Sequence, residues 1–347
     1  MKFDARLSSE GADALATAST TRWAEEIGVA GLWTGENKHD AFLPLAVAAD
    51  HSSRLELGTA VAIAFSRSPM VIAQLAWDLA RRSDGRFLLG LGTQVKPHVE
   101  RRFSMPWDRP VARLRDYIAA LRAIWSAFQN GEALKYDGRY YRHTLLPPVF
   151  NPGPIDHPVI PVSVAGVSPG LVRLAGEVCD GLHVHPFHSP AYVRSVVVPE
   201  IQHGAVTGGR DASNVELSTS VFVITGDTPA ERERQRDAVR SRIAFYASTP
   251  AYRLVLDIHG WGAVGEKLHT LSRGGRWDDM SACVSEEMLA AFAIEADPSD
   301  VGPALRTRYD GLLDRVALFE FMRPGERDDF WREVARTCGD HPQEAKA

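Results

Sequence analysis

The most constraining feature of the chain is the run from Leu55 to Phe103, which predicts a buried strand, an amphipathic helix and a second buried strand. Apolar and small residues alternate between residues 55 and 63, and apolar residues recur at helical spacing after Pro69. Residues 87–92 read FLLGLG, which is typical of a strand covered on both faces. Such a unit requires parallel pairing and a right-handed crossover. The loops that follow the two strands therefore share the sheet edge where parallel α/β proteins bind ligands.

Predicted strands and helices alternate along almost the whole chain. Eight strands, most of them followed by a helix, indicate a closed (β/α)8 TIM barrel, and 347 residues suit that fold. The predicted strands are 3–7, 31–34, 55–64, 87–92, 158–165, 181–184, 215–225 and 314–321, and the predicted helices are 12–27, 41–51, 69 onward, 113–128, 169–177, 192–204 and 229–247, with a hairpin at 135–142.

The barrel is predicted to be one domain, residues 1–322. Residues 248–296 are longer than one helix needs, so we expect a helical insertion near the C-terminal mouth. Residues 323–347 are expected to form a charged, peripheral tail.

Composition excludes several classes of protein. The net charge of -5 and dispersed basic residues predict no nucleic-acid partner. No apolar run is long enough for a membrane span, and the first residues lack a secretory signal, so a cytoplasmic protein is expected. Three widely spaced cysteines predict no disulfide framework.

The turn after the fourth strand is the first candidate ligand site. Gly92 lets backbone amides approach a ligand closely, and Thr93 and Gln94 can hydrogen-bond ring heteroatoms. No dinucleotide-binding fingerprint follows, because Lys96 and Pro97 interrupt the helix start. The alternative is a tight strand exit without a ligand.

The second candidate closes the fifth strand, at Ala165, Gly166, Val167 and Ser168. Free amides at the start of the next helix can bind a phosphate. The same residues also suit a simple serine cap before proline.

Two further groups carry titratable side chains. His183 and His185 could ligate zinc in a metal-dependent hydrolase, hydrogen-bond a cofactor or substrate, or be ordinary packed histidines. Glu36 and His39 leave the second strand and are candidate proton donors and acceptors; the alternative is a solvated loop in which Asp40 caps the next helix.

Four segments together resemble the bacterial luciferase-like superfamily, and within it the oxidoreductases that use the deazaflavin coenzyme F420. The resemblance extends from Met1 to about Phe321, and the segments are LELGTAVAIAFSRSPMVIAQ (55–74), DGRFLLGLGTQ (84–94), RLRDYIAALRAIW (113–125) and GEVCDGLHVHP (176–186).

The resemblance implies a cofactor at the C-terminal mouth of the barrel. A non-proline cis peptide would lie between Ala60 and Val61 against the ring system, with the ring edge near the turn after strand four and the phosphate at the turn after strand five. His183 and His185 would then contact the cofactor. Relatives of this kind are commonly homodimers, and the helices after strands two and three would be the contact faces.

The chain departs from relatives that oxidise sugar phosphates. Glu36 occupies the place of their histidine near the end of strand two, and Val95 that of their glutamate after strand four. Glu36 thus becomes the leading candidate for proton transfer. The expected reaction is hydride transfer between the deazaflavin and a small organic substrate. The alternatives are an FMN-dependent luciferase-like monooxygenase and the metal-dependent hydrolase.

Overall fold

The barrel closes through eight parallel strands in a computed structural model that describes residues 1–8 and 13–339. Each strand pairs with its neighbours in chain order, and the eighth pairs with the first at Phe3 and Val316. The predicted (β/α)8 TIM barrel is therefore confirmed. The strands are β1 Lys2–Arg6, β2 Gly31–Thr34, β3 Glu56–Thr59, β4 Phe87–Gly92, β5 Val162–Gly166, β6 Gly181–Val184, β7 Glu216–Ile224 and β8 Arg315–Phe321.

The predicted third strand is divided in two. β3 ends at Thr59, and the chain pairs again with β4 at Ala62–Ile63, where Ala62 lies opposite Leu91. Between them, the peptide bond from Ala60 to Val61 is cis, as the resemblance implies. A predicted uninterrupted strand to residue 64 was therefore wrong, because residues 60 and 61 leave the ladder.

Helices cover the outside of the barrel, and most begin at a serine, threonine or aspartate cap or at a proline in the first turn. Thr228 and Glu231 form a capping box that starts the helix predicted at 229–247. The first helix begins at Ala14 with Asp13 as its cap; its predicted start at Ala12 lies outside the described residues. The main outer helices are Ala14–Glu26, Leu43–Asp50, Pro69–Arg82, Pro110–Asn130, Pro169–Val178, Val198–Gly208, Pro229–Ala247 and Val301–Tyr309, with Lys96–Arg101 and Pro190–Tyr192 as shorter helices.

The segment predicted as a helical insertion is mostly helical. Its helices are Arg253–Asp257, Gly262–Arg273, Trp277–Met280 and Glu286–Phe292. It ends differently from the prediction, in a short strand, Ala293–Glu295, that pairs in parallel with the end of β7. Three residues are too few to show a periodicity, so the pattern could not predict this strand.

The expected peripheral tail is packed against the barrel in its described part. Helix Asp328–Cys338 buries Phe330, Trp331 and Val334, and the Trp331 ring lies 6.5 Å from that of Phe3 on β1. The charge of this segment hid an apolar face at helical spacing. Residues 328–338 therefore pack on the barrel and are not a detached tail, while the domain boundary at 322 stays a prediction.

Among the helices described, none has the length and apolar character that crossing a bilayer would require.

Candidate active site

A cavity of about 1260 Å³ opens at the carboxyl ends of the barrel strands. This is the end of a (β/α)8 barrel where active sites lie, and the volume can hold a ring cofactor and a small substrate. All eleven residues predicted to bind the cofactor line it: Ala60, Val61, Gly92, Thr93, Gln94, Ala165, Gly166, Val167, Ser168, His183 and His185.

The two predicted catalytic residues are placed differently. Glu36 is buried and lines the cavity, whereas His39 is exposed on the loop and is not among the lining residues. The structure does not bring these two side chains together in the cavity.

The end of β4 lies very close to Val61, which precedes the short strand Ala62–Ile63. A Cβ at Gly92 would lie 2.5 Å from Val61 Cγ2, so glycine is needed there. Gln94 has a left-handed backbone, with φ of 60°, and its side-chain carbonyl accepts the N–H of Val95 at 3.0 Å. The amide NH2 of Gln94 thus remains to donate a hydrogen bond into the cavity.

The turn after β5 presents backbone donors. Ser168 caps the following helix and its hydroxyl accepts the N–H of Leu171 at 3.4 Å. The N–H groups of Val167 and Ser168 donate to no described residue. A Cβ at Gly166 would lie 2.5 Å from Leu171 Cβ, so glycine keeps this turn tight. Unpaired N–H groups beside a helix N-terminus fit a phosphate.

His183 on β6 lines the cavity, and one of its ring nitrogens is buried with no partner among the described residues. Its Nδ1 lies 2.7 Å from Ser218 Oγ on β7, and its Nε2 has no partner within the described chain. Burial, and after it the charge of Arg315, lowers the pKa of His183 to about 4. The neutral ring can therefore exchange a hydrogen bond with a bound heterocycle at neutral pH.

His185 is held by the chain that follows it. Its Nδ1 accepts the N–H of Phe187 at 3.0 Å, and its ring packs against Tyr246 and Tyr252 with centroid distances of 4.8 and 4.6 Å. Burial, then the neighbouring His188, lowers the pKa of His185 to about 3. With Nδ1 accepting, the neutral ring carries its proton on Nε2 and can donate it to a ligand.

The part of the chain described contains no group of three or more His, Cys, Asp or Glu side chains arranged to hold a metal. His183 and His185 are each engaged through Nδ1 as above. The described residues therefore give the metal-dependent hydrolase no ligand set.

The model of the luciferase-like monooxygenase family matches residues 1–315 of the chain. The chain belongs to this family. An uncharacterized protein of Mycobacterium tuberculosis is 48% identical over 292 residues, which cover 84% of this chain and 86% of the relative. The 5,10-methylenetetrahydromethanopterin reductase of Archaeoglobus fulgidus is 28% identical over 288 residues, 80% of this chain and 81% of the relative.

Solved structures with the same fold include one protein whose name contains coenzyme F420 and another that was solved with FMN. The coenzyme F420 dependent tetrahydromethanopterin reductase of Methanopyrus kandleri superposes with a TM-score of 0.77 at 19% identity and covers 97% of both chains. The oxygenating constituent of 3,6-diketocamphane monooxygenase of Pseudomonas putida, solved with FMN, gives 0.66 at 14% identity and covers 98% of both chains. The chain thus shares its fold with these two proteins over almost its whole length.

In this luciferase-like barrel, Asp4, which lines the cavity, forms a buried ion pair with Arg315 that the sequence analysis missed. Arg315 on β8 donates from Nε to Asp4 Oδ2 at 2.7 Å and from Nη2 to Asp4 Oδ1 at 2.8 Å. Asp4 Oδ2 also accepts the indole N–H of Trp33 at 2.8 Å. The charged residues Asp4 and Arg6, which alternate with the apolar Phe3 and Ala5 along β1, were the available signal.

Sequence reasoning also missed two arginines of the cavity wall, Arg6 on β1 and Arg242 on helix Pro229–Ala247. Arg242 belongs to no recognisable sequence motif. Its position in the cavity wall depends on how helix Pro229–Ala247 packs over the opening of the barrel.

Proposed function

We propose that this luciferase-like protein is a coenzyme F420-dependent oxidoreductase that transfers a hydride between the deazaflavin and a small organic substrate. The observation that carries the proposal is the wall formed by the adjacent strands β4, β5 and β6. It offers the Gln94 amide, the free N–H groups of Val167 and Ser168 and the free nitrogen of His183. Donors for a ring edge and for a phosphate thus lie side by side.

The residues of this wall would bind and orient the cofactor. Val167 and Ser168 would hold the phosphate through their N–H groups, while Thr93, Gln94 and His183 would contact the ring edge. The bound deazaflavin supplies the carbon that gives or accepts the hydride. Glu36, across the cavity, would move the proton that accompanies the hydride.

An FMN-dependent monooxygenase is the second candidate. It is favoured by the similarity in fold to the FMN-bound monooxygenase of Pseudomonas putida. The same N–H groups would donate hydrogen bonds to the FMN phosphate, so the two candidates differ in the ring that binds and in oxygen consumption.

The test titrates the protein with F420 and with FMN and follows protein fluorescence, together with oxygen uptake in the presence of reduced cofactor. We expect F420 to bind at micromolar concentration without oxygen uptake. Tight FMN binding with oxygen uptake would favour the monooxygenase, and binding of neither would overturn both.

A matched pair of variants tests the place of the phosphate. Gly166→Ala puts a Cβ 2.5 Å from Leu171 Cβ, whereas Gly170→Ala, four residues on, makes only an ordinary 3.5 Å contact with Val111. We expect Gly166→Ala to weaken cofactor binding at least about tenfold, the loss of one charge-assisted hydrogen bond. Gly170→Ala should bind as the wild type does. Equal affinities would place the phosphate elsewhere.

A homodimer is part of the proposal. The helices that follow β2 and β3 expose Leu43 and Val71 near their first turns, at 63% and 44%. Apolar side chains at the start of two neighbouring helices suit a subunit contact.

A further inference from the structure

Arg6 and Arg242 form a pair of cations on one side of the cavity. Both guanidinium groups lie over the ring of Phe319, with Cζ at 4.6 and 5.1 Å from the ring centre. Arg6 also lies 4.5 Å from the ring of Phe321. An aromatic face attracts a cation but does not neutralise it.

No carboxylate of the described chain neutralises this pair. The described carboxylates that line the cavity each have an arginine partner of their own: Asp4 with Arg315, Glu36 with Arg67, Glu320 with Arg327, and Glu326 with Arg323. Neither Arg6 nor Arg242 forms an ion pair with a described residue. Arg6 is half-buried and Arg242 is exposed, so the two are cations without a described counter-ion beside a cavity whose described carboxylates are all paired.

The deeper arginine keeps donors free. Arg6 Nη1 donates to the carbonyl oxygen of Phe319, and its Nε and Nη2 donate to no described residue. Burial lowers the pKa of Arg6 to about 10, with the charge of Arg242 acting in the same direction and Tyr246 opposing it. A guanidinium that remains charged there is poorly solvated and gains from an anion that enters the cavity.

The topology separates this pair from the turn that would hold the cofactor phosphate. In a closed barrel of eight strands in chain order, β1 and β5 are four strands apart in either direction. Arg6 ends β1, Phe319 lies on β8, and the phosphate turn follows β5. A cofactor held at β5 therefore leaves the two arginines for another ligand.

We propose that Arg6 and Arg242 bind an anionic group of the substrate, a carboxylate or a phosphate. The inference rests on the proposed function, because it takes the β5 turn as the place of the cofactor. The rings of Phe319, Phe321, Tyr246 and Tyr252 line the same side of the cavity, so the substrate class is an organic anion with an apolar body.

The test uses benzoate, phenyl phosphate and the neutral analogue benzamide as probes, titrated by saturation-transfer NMR at constant ionic strength. We expect one or both anions to bind at least about tenfold more tightly than benzamide, the effect of one charge-assisted hydrogen bond. The better of the two anions identifies the group. A wild-type protein that binds all three probes equally, or none of them, would overturn the inference.

Three variants assign the effect to the pair. Arg242→Gln, at an exposed position, and Arg6→Gln should each lose the preference for anions. Arg323→Gln, a cavity arginine already paired with Glu326 at 3.7 Å, should keep it. Thermal unfolding checks that each variant folds, and Arg6→Met, which also removes the charge, replaces Arg6→Gln if that variant does not. A preference that survives Arg242→Gln contradicts the proposal.

Titration of F420 into the same variants separates the two proposals. Unchanged F420 affinity in Arg242→Gln, together with lost anion preference, supports a substrate site. Lost F420 affinity would show that the pair serves the cofactor and would overturn the inference. Anion preference in a protein that binds no F420 would contradict the proposed function while leaving the anion site supported.

Discussion

Glu36 and Arg67 form an ion pair beside the cavity, with Glu36 Oε2 2.8 Å from Arg67 Nη1. The same carboxylate oxygen accepts the N–H of Ile63 at 2.7 Å. Arg67 Nη2 lies 2.7 Å from Asp40 Oδ2, so one arginine holds two carboxylates. Only Glu36 of the two lines the cavity. This difference makes Asp40 a matched control for a catalytic role of Glu36.

Glu36→Gln should lower turnover about 100-fold, the low end of what a positioned acid or base contributes, and should leave cofactor affinity unchanged. The glutamine oxygen can still accept from Ile63, so the loop keeps its shape. Asp40→Asn removes the other charge on Arg67 and should retain turnover within about twofold, because Asp40 does not reach the cavity. Steady-state kinetics with F420 would measure both. Equal losses in the two variants would mean that Glu36 acts only through Arg67.

Three histidines, His188 buried and His183 and His185 half-buried, predict a loss of stability in mild acid. Burial is the main reason that the pKa values of His183 and His188 are lowered to about 4 and that of His185 to about 3. Between pH 6.5 and 4 the unfolded chain binds protons that the folded chain does not, so stability is full above pH 6.5 and falls as the pH is lowered. The slope is up to about 1.4 kcal/mol per pH unit for each histidine.

Urea unfolding at pH 7, 6 and 5 measures this slope. His183→Gln should flatten it by up to one histidine's share, about 1.4 kcal/mol per pH unit. His39→Gln, at an exposed position, should leave the slope unchanged. A wild-type free energy of unfolding that does not change from pH 7 to 5 would contradict the prediction.

The Arg315–Asp4 pair should be a major element of stability. Arg315 is fully buried, and its replacement by methionine leaves the buried Asp4 carboxylate, together with the half-buried Glu56 and Glu216 that also contact Arg315, without this cation. We expect Arg315→Met to lose about 3–5 kcal/mol of unfolding free energy. The double variant Asp4→Asn, Arg315→Met removes both charges and should recover part of that loss, since asparagine can still accept from Trp33. Urea unfolding of the single and the double variant measures both free energies of unfolding. A double variant that is less stable than the single one would show that the unpaired aspartate charge does not cause the loss.

The sequence predicted the elements that depend on local pattern. Phe87–Gly92 coincides with the predicted strand because six small or apolar residues stand together, and Pro229–Ala247 coincides with the predicted helix because cap and proline mark its start. The turns after β4 and β5 could be placed at the cavity because parallel strands end at one edge.

The features that sequence reasoning missed depend on contacts between distant parts of the chain. Arg6 comes to lie in the cavity wall beside Phe319 only because β8 pairs with β1. The two residues are 313 positions apart in the sequence. Nothing in the sequence indicated that Glu36 forms an ion pair, because its partner Arg67 is 31 residues away in sequence and no local pattern predicts the contact. The place of helix Asp328–Cys338 was hidden by its charge, although its apolar spacing was readable.

The proposed homodimer predicts that single charges at the exposed helix starts separate the subunits. Leu43→Glu and Val71→Glu put a charge on side chains that are 63% and 44% exposed, so folding should be unaffected while an interface of about 1,200–2,000 Å² is lost. Val206→Glu, 81% exposed on helix Val198–Gly208 across the barrel, is the control and should remain a dimer. Light scattering after size-exclusion chromatography gives each mass. A wild-type mass of one chain, 38.1 kDa, at micromolar concentration would reject the dimer, and dimers of all three variants would move the interface to another face.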